Sequence, residues 1–368
     1  MDERQVSEVN VVIVKDLKGL LMLKEEWKDI EKSSEIYPFN TFEWVTNWWE
    51  FFGINKKLWI LNFYKGDFLI GIAPFMITYG EMGLLAKRIK FIGSNNSDYL
   101  DFIVREGYES IFYKSLFNFL ENKMDIFTVL DLEHIPESSK LFSFLTDNKL
   151  DYKYDVQDIC PYVMLPESWD IYINSLNGKF RRNLNYETKR FFKDYDGTFS
   201  NVTDIKNLNY SMDKLIELHQ ARWKKKHMPG VFYSNKVRKF HKKVAKDMLL
   251  NRRLSLFELK DKDKVVSSLL SYHVNKKRYY YISGYDLDYD KRSVGTIMVG
   301  LAIKKSIEEG DEIFDFLRGD EDYKKNWTLS KKRNIRFIAA NSNTLGRFYI
   351  NYILSENKII KKIKSKFN

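Results

Sequence analysis

The chain has 368 residues, of which 44% are hydrophobic and 16% aromatic, enough for two ordinary domains that each bury a core. Its single cysteine, Cys160, excludes an internal disulfide framework and a cysteine-built zinc site, and favours a reducing compartment. The first residues are too polar for a signal peptide, and no apolar run approaches the roughly 20 residues that span a bilayer. We therefore expect a cytoplasmic protein without a transmembrane segment.

Charge is distributed unevenly along the chain. Residues 1–160 contain 18 Lys and Arg against 26 Asp and Glu, whereas residues 161–368 contain 43 against 24, so the two net charges are −8 and +19. The second half is expected to attract anions, such as a phosphorylated cofactor, a nucleic acid or an anionic membrane surface.

Two stretches of the chain follow one plan, in which strands precede a helix and a last strand. The first has strand patterns at 58–64, 68–78, 88–93 and 98–104, a helical pattern at 108–123 and a strand at 125–132. The second has strands at 254–260, 265–274 and 278–286, a helix at 296–310 and a strand at 312–318. Further helical patterns lie at 174–195, 211–227, 236–251 and 345–367.

These patterns predict an α/β fold class, with α+β mixed sheets. Short polar turns join antiparallel strands, whereas the helix before each last strand predicts a parallel pair joined by a right-handed crossover. Each repeat is then a mixed, mostly antiparallel sheet with packed helices. The predicted domains are residues 1–160 and 161–368.

Seven segments in a fixed order carry a family resemblance. They are FNTFEWVTNWWEFFG, IGIAPF, IGSNNSDYLDF, FRRNLNYETKRF, LHQARW, GYDLDYDKRSVGTIMV and IFDFLRGDEDYKKNW. With them the chain resembles GNAT-type acetyltransferases of the CelD-like or BioF2-like group, which are close in architecture to the FemAB-type aminoacyl transferases. The resemblance covers the chain from about Phe39 to Trp327.

The resemblance implies two tandem GNAT-like domains, of which the second binds acyl-CoA and catalyses transfer while the first lies on the acceptor side. The implied reaction moves an acyl group, with acetyl expected, to an amine or a hydroxyl of a small molecule, sugar or cell-envelope precursor. Acyl-CoA is the co-substrate, and no metal is expected. Motifs for other chemistries, such as a Walker loop, Gly-x-Ser-x-Gly and His-Glu-x-x-His, are absent from the sequence.

The segment DYDKRSVGTIMV is the candidate donor site. A helix that begins near Thr296 offers unpaired backbone N–H groups and the positive end of its dipole to a pyrophosphate. The run resembles a reduced form of the GNAT loop that holds the coenzyme A pyrophosphate, although an ordinary helix start with a glycine turn is the alternative. The predicted cofactor-binding residues are Lys291, Arg292, Ser293, Val294, Gly295 and Thr296.

The corresponding segment of the first repeat, FIVREGYESIF, has glutamates at 106 and 109. Because acids repel a pyrophosphate, we predict that the first domain is a degenerate copy that binds no acyl donor.

The segment after the last strand of the second repeat, FDFLRGDEDYKKNW, is the candidate catalytic rim. In the GNAT arrangement, the end of this strand borders the thioester. Carboxylates are candidate bases, Tyr323 is a candidate acid for the leaving thiolate, and Lys324 is a candidate for holding an anionic acceptor or the oxyanion. The candidate carboxylates, among which the sequence makes no choice, are Asp315, Asp320, Glu321 and Asp322. A charged loop that only keeps the strand soluble is the alternative.

The acceptor-binding candidates come from both halves of the chain. Asp98 and Asp101 follow a strand in the first half, and a turn-forming role for Asp98 is equally favoured. The basic helix pattern at 177–191 suits anionic groups, although a solvated helix face explains it nearly as well. The candidates of the second half are Lys179, Arg181, Arg182 and Trp223, with His219 as a minor one.

Two other functions stay open. A Fem-like transferase would take its amino acid from aminoacyl-tRNA, and the basic half would then guide RNA. A non-catalytic binding module on the same fold would contact a membrane surface through the lysine-rich residues 358–366. The sequence leaves the acceptor, the acyl length and the oligomeric state undecided.

Overall fold

The computed structural model describes residues 9–79, 87–123, 126–144, 151–340 and 346–355. The first ten elements are β1 (Val9–Val14), α1 (Leu17–Met22), α2 (Lys24–Glu31), α3 (Phe42–Phe52), β2 (Lys57–Lys65), β3 (Phe68–Tyr79), β4 (Lys87–Phe91), β5 (Ile103–Val104), α4 (Glu109–Glu121) and β6 (Val129–Pro136). The others are β7 (Asp151–Met164), α5 (Trp169–Ser175), α6 (Gly178–Asp194), β8 (Gly197–Asn201), α7 (Ile205–Lys225), α8 (Asn235–Leu250), β9 (Leu254–Asp261), β10 (Lys264–Val274), β11 (Lys277–Tyr285), α9 (Val294–Glu308), β12 (Ile313–Asp315) and β13 (Lys331–Ala340). Residues 346–355 are also helical, and the predicted lysine-rich membrane contact at 358–366 lies outside the described residues.

The chain forms two compact units. Unit 1 comprises residues Met1–Asp158 and Arg333–Asn368, and unit 2 comprises Ile159–Lys332. The C-terminal segment lies with unit 1 rather than with the second half of the chain because β13 pairs with β6 from Asn334 to Ala340. Unit 2 is therefore an insertion between two segments of unit 1.

Unit 1 is a mixed sheet in the order β1-β2-β3-β4-β6-β13. Four of its five neighbouring pairs are antiparallel, and β4 and β6 are parallel. The prediction that the strand at 98–104 is the parallel neighbour of β6 is wrong. The physical reason is that two strands pair with the same edge of β3. β4 pairs with Phe75–Tyr79, and the short β5 pairs with Gly71 and Ile72.

Aromatic side chains fill the core of unit 1 beneath α4. Phe112 of α4 packs edge-on against Phe63 and contacts Phe102, with ring centroids 4.8 and 5.6 Å apart. Gly71 lies directly below, and a Cβ there would come within 2.1 Å of the Phe112 ring. A glycine in mid-strand therefore lets this helix approach the sheet closely.

Unit 2 is a second mixed sheet, in the order β7-β12-β11-β10-β9-β8. The predicted parallel pair across the helical crossover is confirmed, because β11 and β12 are parallel while their other neighbours are antiparallel. Apolar side chains of α9 such as Ile297 and Met298 pack with Phe257 and Leu269 of the sheet in one buried cluster. This cluster is the core of the unit.

Helix α7 crosses the opposite face of the same sheet. A Cβ on Gly284 of β11 would lie 2.4 Å from the backbone nitrogen of His219 in α7. The helix therefore rests on the strand where only glycine leaves room. Within the described ranges, no helix is both long and apolar enough to cross a bilayer.

Candidate active site

The two parallel strands of unit 2 separate halfway along β11. Pairing covers Lys277–Tyr279 on β11 and Ile313–Asp315 on β12, and β11 then continues alone on this edge to Tyr285. The chain after β12 stays beside β7, since the N–H of Phe316 donates to the carbonyl of Pro161 at 2.9 Å. Among the residues that the structure describes, no strand pairs with the second half of β11 on the β12 side.

A bulge in β11 lies at the point of divergence. The register with β10 shifts between Leu270 and Ser271, so Tyr281 is the extra residue. In a regular strand, residues three apart point to opposite faces, but the bulge brings Tyr280 and Ser283 to the same face. Their hydroxyl oxygens lie 2.5 Å apart. The bulge thus places two polar groups at the divergence.

A third hydroxyl comes from the rim. Tyr323 lies in the short helical turn Asp322–Asn326, and its hydroxyl is hydrogen bonded to that of Tyr280. Burial, together with Tyr280 and the negative charge of Glu321, raises the pKa of Tyr323 well above its ordinary value. Tyr323 is 43% exposed although its hydroxyl is desolvated. We call Tyr280, Ser283 and Tyr323 the hydroxyl cluster, and it stays protonated at neutral pH.

Lys324 holds the turn of the rim together through hydrogen bonds of its side chain. The residue is buried, and its ammonium donates to the carbonyl oxygens of Phe316, Arg318 and Gly319 at 3.0, 3.1 and 3.0 Å. It also lies 2.9 Å from a carboxylate oxygen of Glu321. An ammonium has three donors, and these contacts use them. These contacts indicate that Lys324 stabilises the turn. They do not support its predicted contact with the substrate.

Each acid of the rim has a lysine partner. The ion pairs are Asp315 with Lys332 (2.6 Å), Asp320 with Lys331 (2.7 Å), Glu321 with Lys324 (2.9 Å) and Asp322 with Lys325 (2.6 Å). Asp315 is fully buried and also accepts the N–H of Leu317 at 2.7 Å. Asp315 therefore fixes the turn after β12. Of the four acids, Glu321 is the one whose charge acts on both Tyr280 and Tyr323.

The predicted donor-binding residues lie at the first turn of α9. Ser293 has φ of +53° and begins the helix without a side-chain cap, so the first N–H groups of α9 keep their donors for another partner. Gly295 faces Tyr285 of β11, whose ring would be 3.0 Å from a Cβ there. Lys291 is exposed, and Arg292 lies 5.9 Å from the Tyr195 ring. Val294 is buried and Thr296 is half-buried.

Side chains of α7 border the same turn. The Arg222 guanidinium lies 4.3 Å from the ring centroid of Tyr285, and its charge also acts on Tyr280 and Tyr323. Lys225 is 3.5 Å from Asp290, which accepts a hydrogen bond from the Tyr285 hydroxyl. The first turn of α9, the end of β11 and the end of α7 therefore meet.

The acceptor candidates of unit 2 are on two helices. Lys179 and Arg182 are exposed on α6, and Arg181 donates to Asn174 at 2.9 Å. Trp223 is half-buried in α7, 5.9 Å from the ring of His219. Burial lowers the pKa of His219 to about 4, so this imidazole is neutral at physiological pH and serves packing.

The acceptor candidates of unit 1 are both buried. The backbone carbonyl of Asp98 accepts a hydrogen bond from Asn334 at 2.5 Å. Asp101 accepts from Ser139 at 3.0 Å and from the N–H of Phe102 at 2.8 Å. Burial raises the pKa of Asp101 to about 7 in spite of these donors. A carboxyl that titrates near neutral pH is suited to proton transfer or to binding an amine.

The raised pKa of Asp101 predicts a pH-dependent stability. Its stabilising contribution is fully present below the unfolded value of 3.8 and is lost as pH rises through about 7, since the folded state holds the proton more tightly. We expect Asp101→Asn, which keeps the acceptor oxygen, to flatten the fall in unfolding free energy between pH 4 and 7. Urea titrations at several pH values measure this. An equal slope in both proteins would contradict the assignment.

Tyr280 and Ser283 are site residues that the sequence did not reveal. The available signal was a mismatch in length, because the strand pattern at 278–286 is longer than its parallel partner. The bulge carried no signal of its own, since the YYYI of RYYYIS is a continuous run of aromatic and β-branched residues like that of a regular buried strand. Within the described residues, no group of three or more His, Cys, Asp or Glu could hold a metal ion.

Comparisons with known proteins identify a domain family and similar folds. Residues 178–325 match the family of the acetyltransferase (GNAT) domain. Among solved structures, FemX is similar at 11% identity and a TM-score of 0.63, covering 85% of this chain and 95% of that one. A conserved protein of unknown function from Bacteroides thetaiotaomicron is similar at 10% identity and 0.59, with coverages of 89% and 100%.

A third similar structure is the C-terminal domain of a putative lysylphosphatidylglycerol synthetase from Agrobacterium fabrum. It has 11% identity and a TM-score of 0.55, and covers 91% of this chain and 96% of that domain. A search of curated proteins finds no significant match. At these identities the structures speak for the fold alone.

The two sheets and these likenesses show a fold of two GNAT-like domains. In particular, the architecture is GNAT-type and FemAB-related, with the acetyltransferase match in unit 2. The predicted fold class and resemblance are confirmed at this level, and the finer placement in the CelD-like group stays a prediction.

Proposed function

We propose that the protein is an N-acyltransferase whose unit 2 moves an acyl group, with acetyl expected, from acyl-CoA to an acceptor amine. The acceptor belongs to a small molecule, a sugar or a cell-envelope precursor, and a hydroxyl is the less favoured nucleophile. The observation that carries the proposal is the divergence of β11 and β12 beside the first turn of α9, inside the segment that matches the acetyltransferase domain.

Donor binding would use the first turn of α9. Its unpaired N–H groups and the positive end of its dipole favour a pyrophosphate, and Arg292 and Lys291 add charge beside it. Gly295 lets the Tyr285 ring pack closely against this turn, because a Cβ there would lie 3.0 Å from that ring. The pantetheine arm would then run between the separating strands, so that its thioester reaches the bulge at Tyr281.

The reaction would proceed by direct attack. The acceptor nitrogen forms a bond to the thioester carbonyl carbon, the C–S bond breaks, and the nitrogen gives up one proton. Glu321 is the proposed proton acceptor because its charge reaches the hydroxyl cluster. Tyr323, kept protonated by burial, would give its proton to the leaving thiolate.

Titration of the protein with acetyl-CoA in a calorimeter tests the donor site. We expect binding by the parent and at least a tenfold weaker affinity for Arg292→Glu and Gly295→Glu, because each places a carboxylate beside the pyrophosphate. Arg190→Glu and Gly178→Glu are the matched controls, since they make the same changes on α6 at an exposed position and at an open glycine.

Three outcomes decide this test. No binding by the parent protein would contradict the donor assignment. Unchanged binding by both α9 variants would contradict the proposed location. Equal losses in the α6 controls would show that only the net charge of unit 2 matters.

An aminoacyl-tRNA donor is the second candidate. The specific observation in its favour is the charge of unit 2, which has 35 Lys and Arg against 23 Asp and Glu. RNA that copurifies at low salt, is released steeply by added salt and supports amino-acid transfer would favour this candidate over acyl-CoA.

A further inference from the structure

One continuous segment of unit 2 has no acidic residue. Between Glu217 and Asp247, residues 218–246 contain ten Lys and Arg and no Asp or Glu. The segment comprises the last turns of α7, the connection to α8, and most of α8. An even mixture of charges would keep a surface soluble, so this bias is unusual for a helical hairpin.

The connection between α7 and α8 exposes apolar side chains. Met228, Val231 and Tyr233 are 41%, 40% and 67% exposed, and all three lie within six residues. Lysines flank them on both sides, at 224–226 and at Lys236. We call residues 224–236 the basic tip.

The exposure of these side chains is built into the tip. Phe232 is fully buried, with its ring 5.1 Å from that of His219 and 5.3 Å from that of His241. Gln220 donates to the carbonyl of Pro229 at 2.9 Å and accepts the N–H of Phe232 at 3.2 Å. The residues on either side of Phe232 are therefore held outward by an anchored loop.

Neighbouring acids leave the segment strongly positive. Ion pairs of the segment with acids from outside it include Lys225 with Asp290 (3.5 Å), Lys242 with Asp213 (2.6 Å) and Lys243 with Asp247 (3.5 Å). Because the segment has ten cations and no acid of its own, it keeps a net positive charge. Lys226 lies over the Trp223 ring at 5.7 Å, which keeps its ammonium at the surface of the tip.

We propose that the basic tip docks on a bilayer that contains anionic lipids. Apolar side chains flanked by lysines are typical of a segment that binds at the membrane interface. In such a contact the aliphatic groups enter the boundary of the acyl chains, and the ammonium groups bind the lipid headgroups. Binding to a nucleic acid would not bury Met228 and Val231 in an apolar environment, because such binding relies on phosphate contacts and stacking.

The tip lies beside the candidate active site. Lys225 pairs with Asp290, and Arg222 packs on Tyr285, so the tip adjoins the end of β11 and the first turn of α9. Docking would therefore bring this site to the lipid surface. The acceptor would then be a lipid-anchored amine, an inference that rests on the proposed acyl transfer.

Sedimentation with vesicles tests the docking. We expect the full chain to bind vesicles of phosphatidylcholine with about a third phosphatidylglycerol, and not phosphatidylcholine alone, with binding weakened by salt. Met228→Ser/Val231→Ser/Tyr233→Ser should weaken binding about tenfold, and so should Lys224→Gln/Lys226→Gln/Lys236→Gln. The control Tyr210→Ser/Leu250→Ser/Leu329→Ser removes three apolar side chains that are also exposed, outside the tip, and should bind like the parent.

A fluorescent label separates insertion from simple charge attraction. The single native cysteine, Cys160, is buried, so Val231→Cys and Leu329→Cys can be labelled selectively with an environment-sensitive dye. Vesicles should shift the emission of the label at 231 to the blue and leave that at 329 unchanged. A shift at neither position, or equal shifts at both, would overturn the proposal.

Two further results overturn or support the proposal independently of the enzyme reaction. Binding to a single-stranded RNA oligonucleotide but not to vesicles would replace the lipid with a nucleic acid and overturn it. Vesicle binding that depends on the tip, in a protein that binds no acetyl-CoA, would support docking while contradicting the proposed function.

Discussion

Tyr323→Phe should lower kcat for acyl transfer by about 10²-fold while the KM for acetyl-CoA stays nearly unchanged, because loss of a positioned acid typically costs a factor of this size. The substitution removes only the hydroxyl that bonds to Tyr280 and keeps the ring. Release of the CoA thiol from acetyl-CoA, followed with a panel of primary amines, measures the effect. The loss should appear in kcat because the hydroxyl acts on the leaving group in the transition state.

Tyr210→Phe is the matched control for this variant, since Tyr210 is exposed near the beginning of α7 and loses the same atom. A kcat for Tyr323→Phe within threefold of the parent would remove Tyr323 from the mechanism. A fall in affinity for acetyl-CoA without a fall in kcat would assign Tyr323 to donor binding instead.

Arg336→Met should lower the free energy of unfolding of unit 1 by about 3–5 kcal/mol, the cost of breaking a buried ion pair. The Arg336 guanidinium makes two hydrogen bonds to the buried carboxylate of Asp131, at 2.7 and 2.8 Å. Burial alone would raise the pKa of Asp131, but Arg336, Lys90 and Arg88 outweigh it and hold that pKa below its ordinary value. Removing Arg336 leaves a buried charge without its main partner.

Urea unfolding followed by tryptophan fluorescence measures this loss, because five of the eight tryptophans lie in unit 1. Arg333→Met is the control, since its ion pair with Glu137, the residue after β6, is largely exposed and should contribute less than about 1 kcal/mol. Asp131→Leu/Arg336→Met should regain most of the stability. Equal losses for Arg333→Met and Arg336→Met would show that burial of the pair does not matter.

The repeating plan of the fold was predictable from sequence because it depends on local patterns. Alternating apolar runs, polar turns and one helix-period segment identify β9, β10, β11, α9 and β12 in order. The parallel pairing of β11 with β12 follows from the crossover rule. These features need no knowledge of distant contacts.

The rest depended on contacts that a local pattern does not encode. The division of the β3 edge between β4 and β5, and the return of β13 to unit 1, are decided by pairing across long separations. At the candidate site, the sequence predicted Tyr323 and the acids as candidates but not their surroundings. Whether a lysine such as Lys324 faces a substrate or binds its own loop carbonyls depends on the three-dimensional path of residues 316–319.

The insertion of unit 2 into unit 1 has a consequence for biosynthesis. Asp131 and Arg336 are separated by 205 residues, and all of unit 2 is made between them. At about 5–20 residues per second, a ribosome takes roughly 10–40 s to cover that distance. During this interval unit 2 is synthesised, whereas the nascent unit 1 waits with an open edge on β6 and without the main partner of the Asp131 carboxylate. Such an edge is the kind of surface that chaperones bind, so the N-terminal unit is expected to be the last part of the chain to reach its native state.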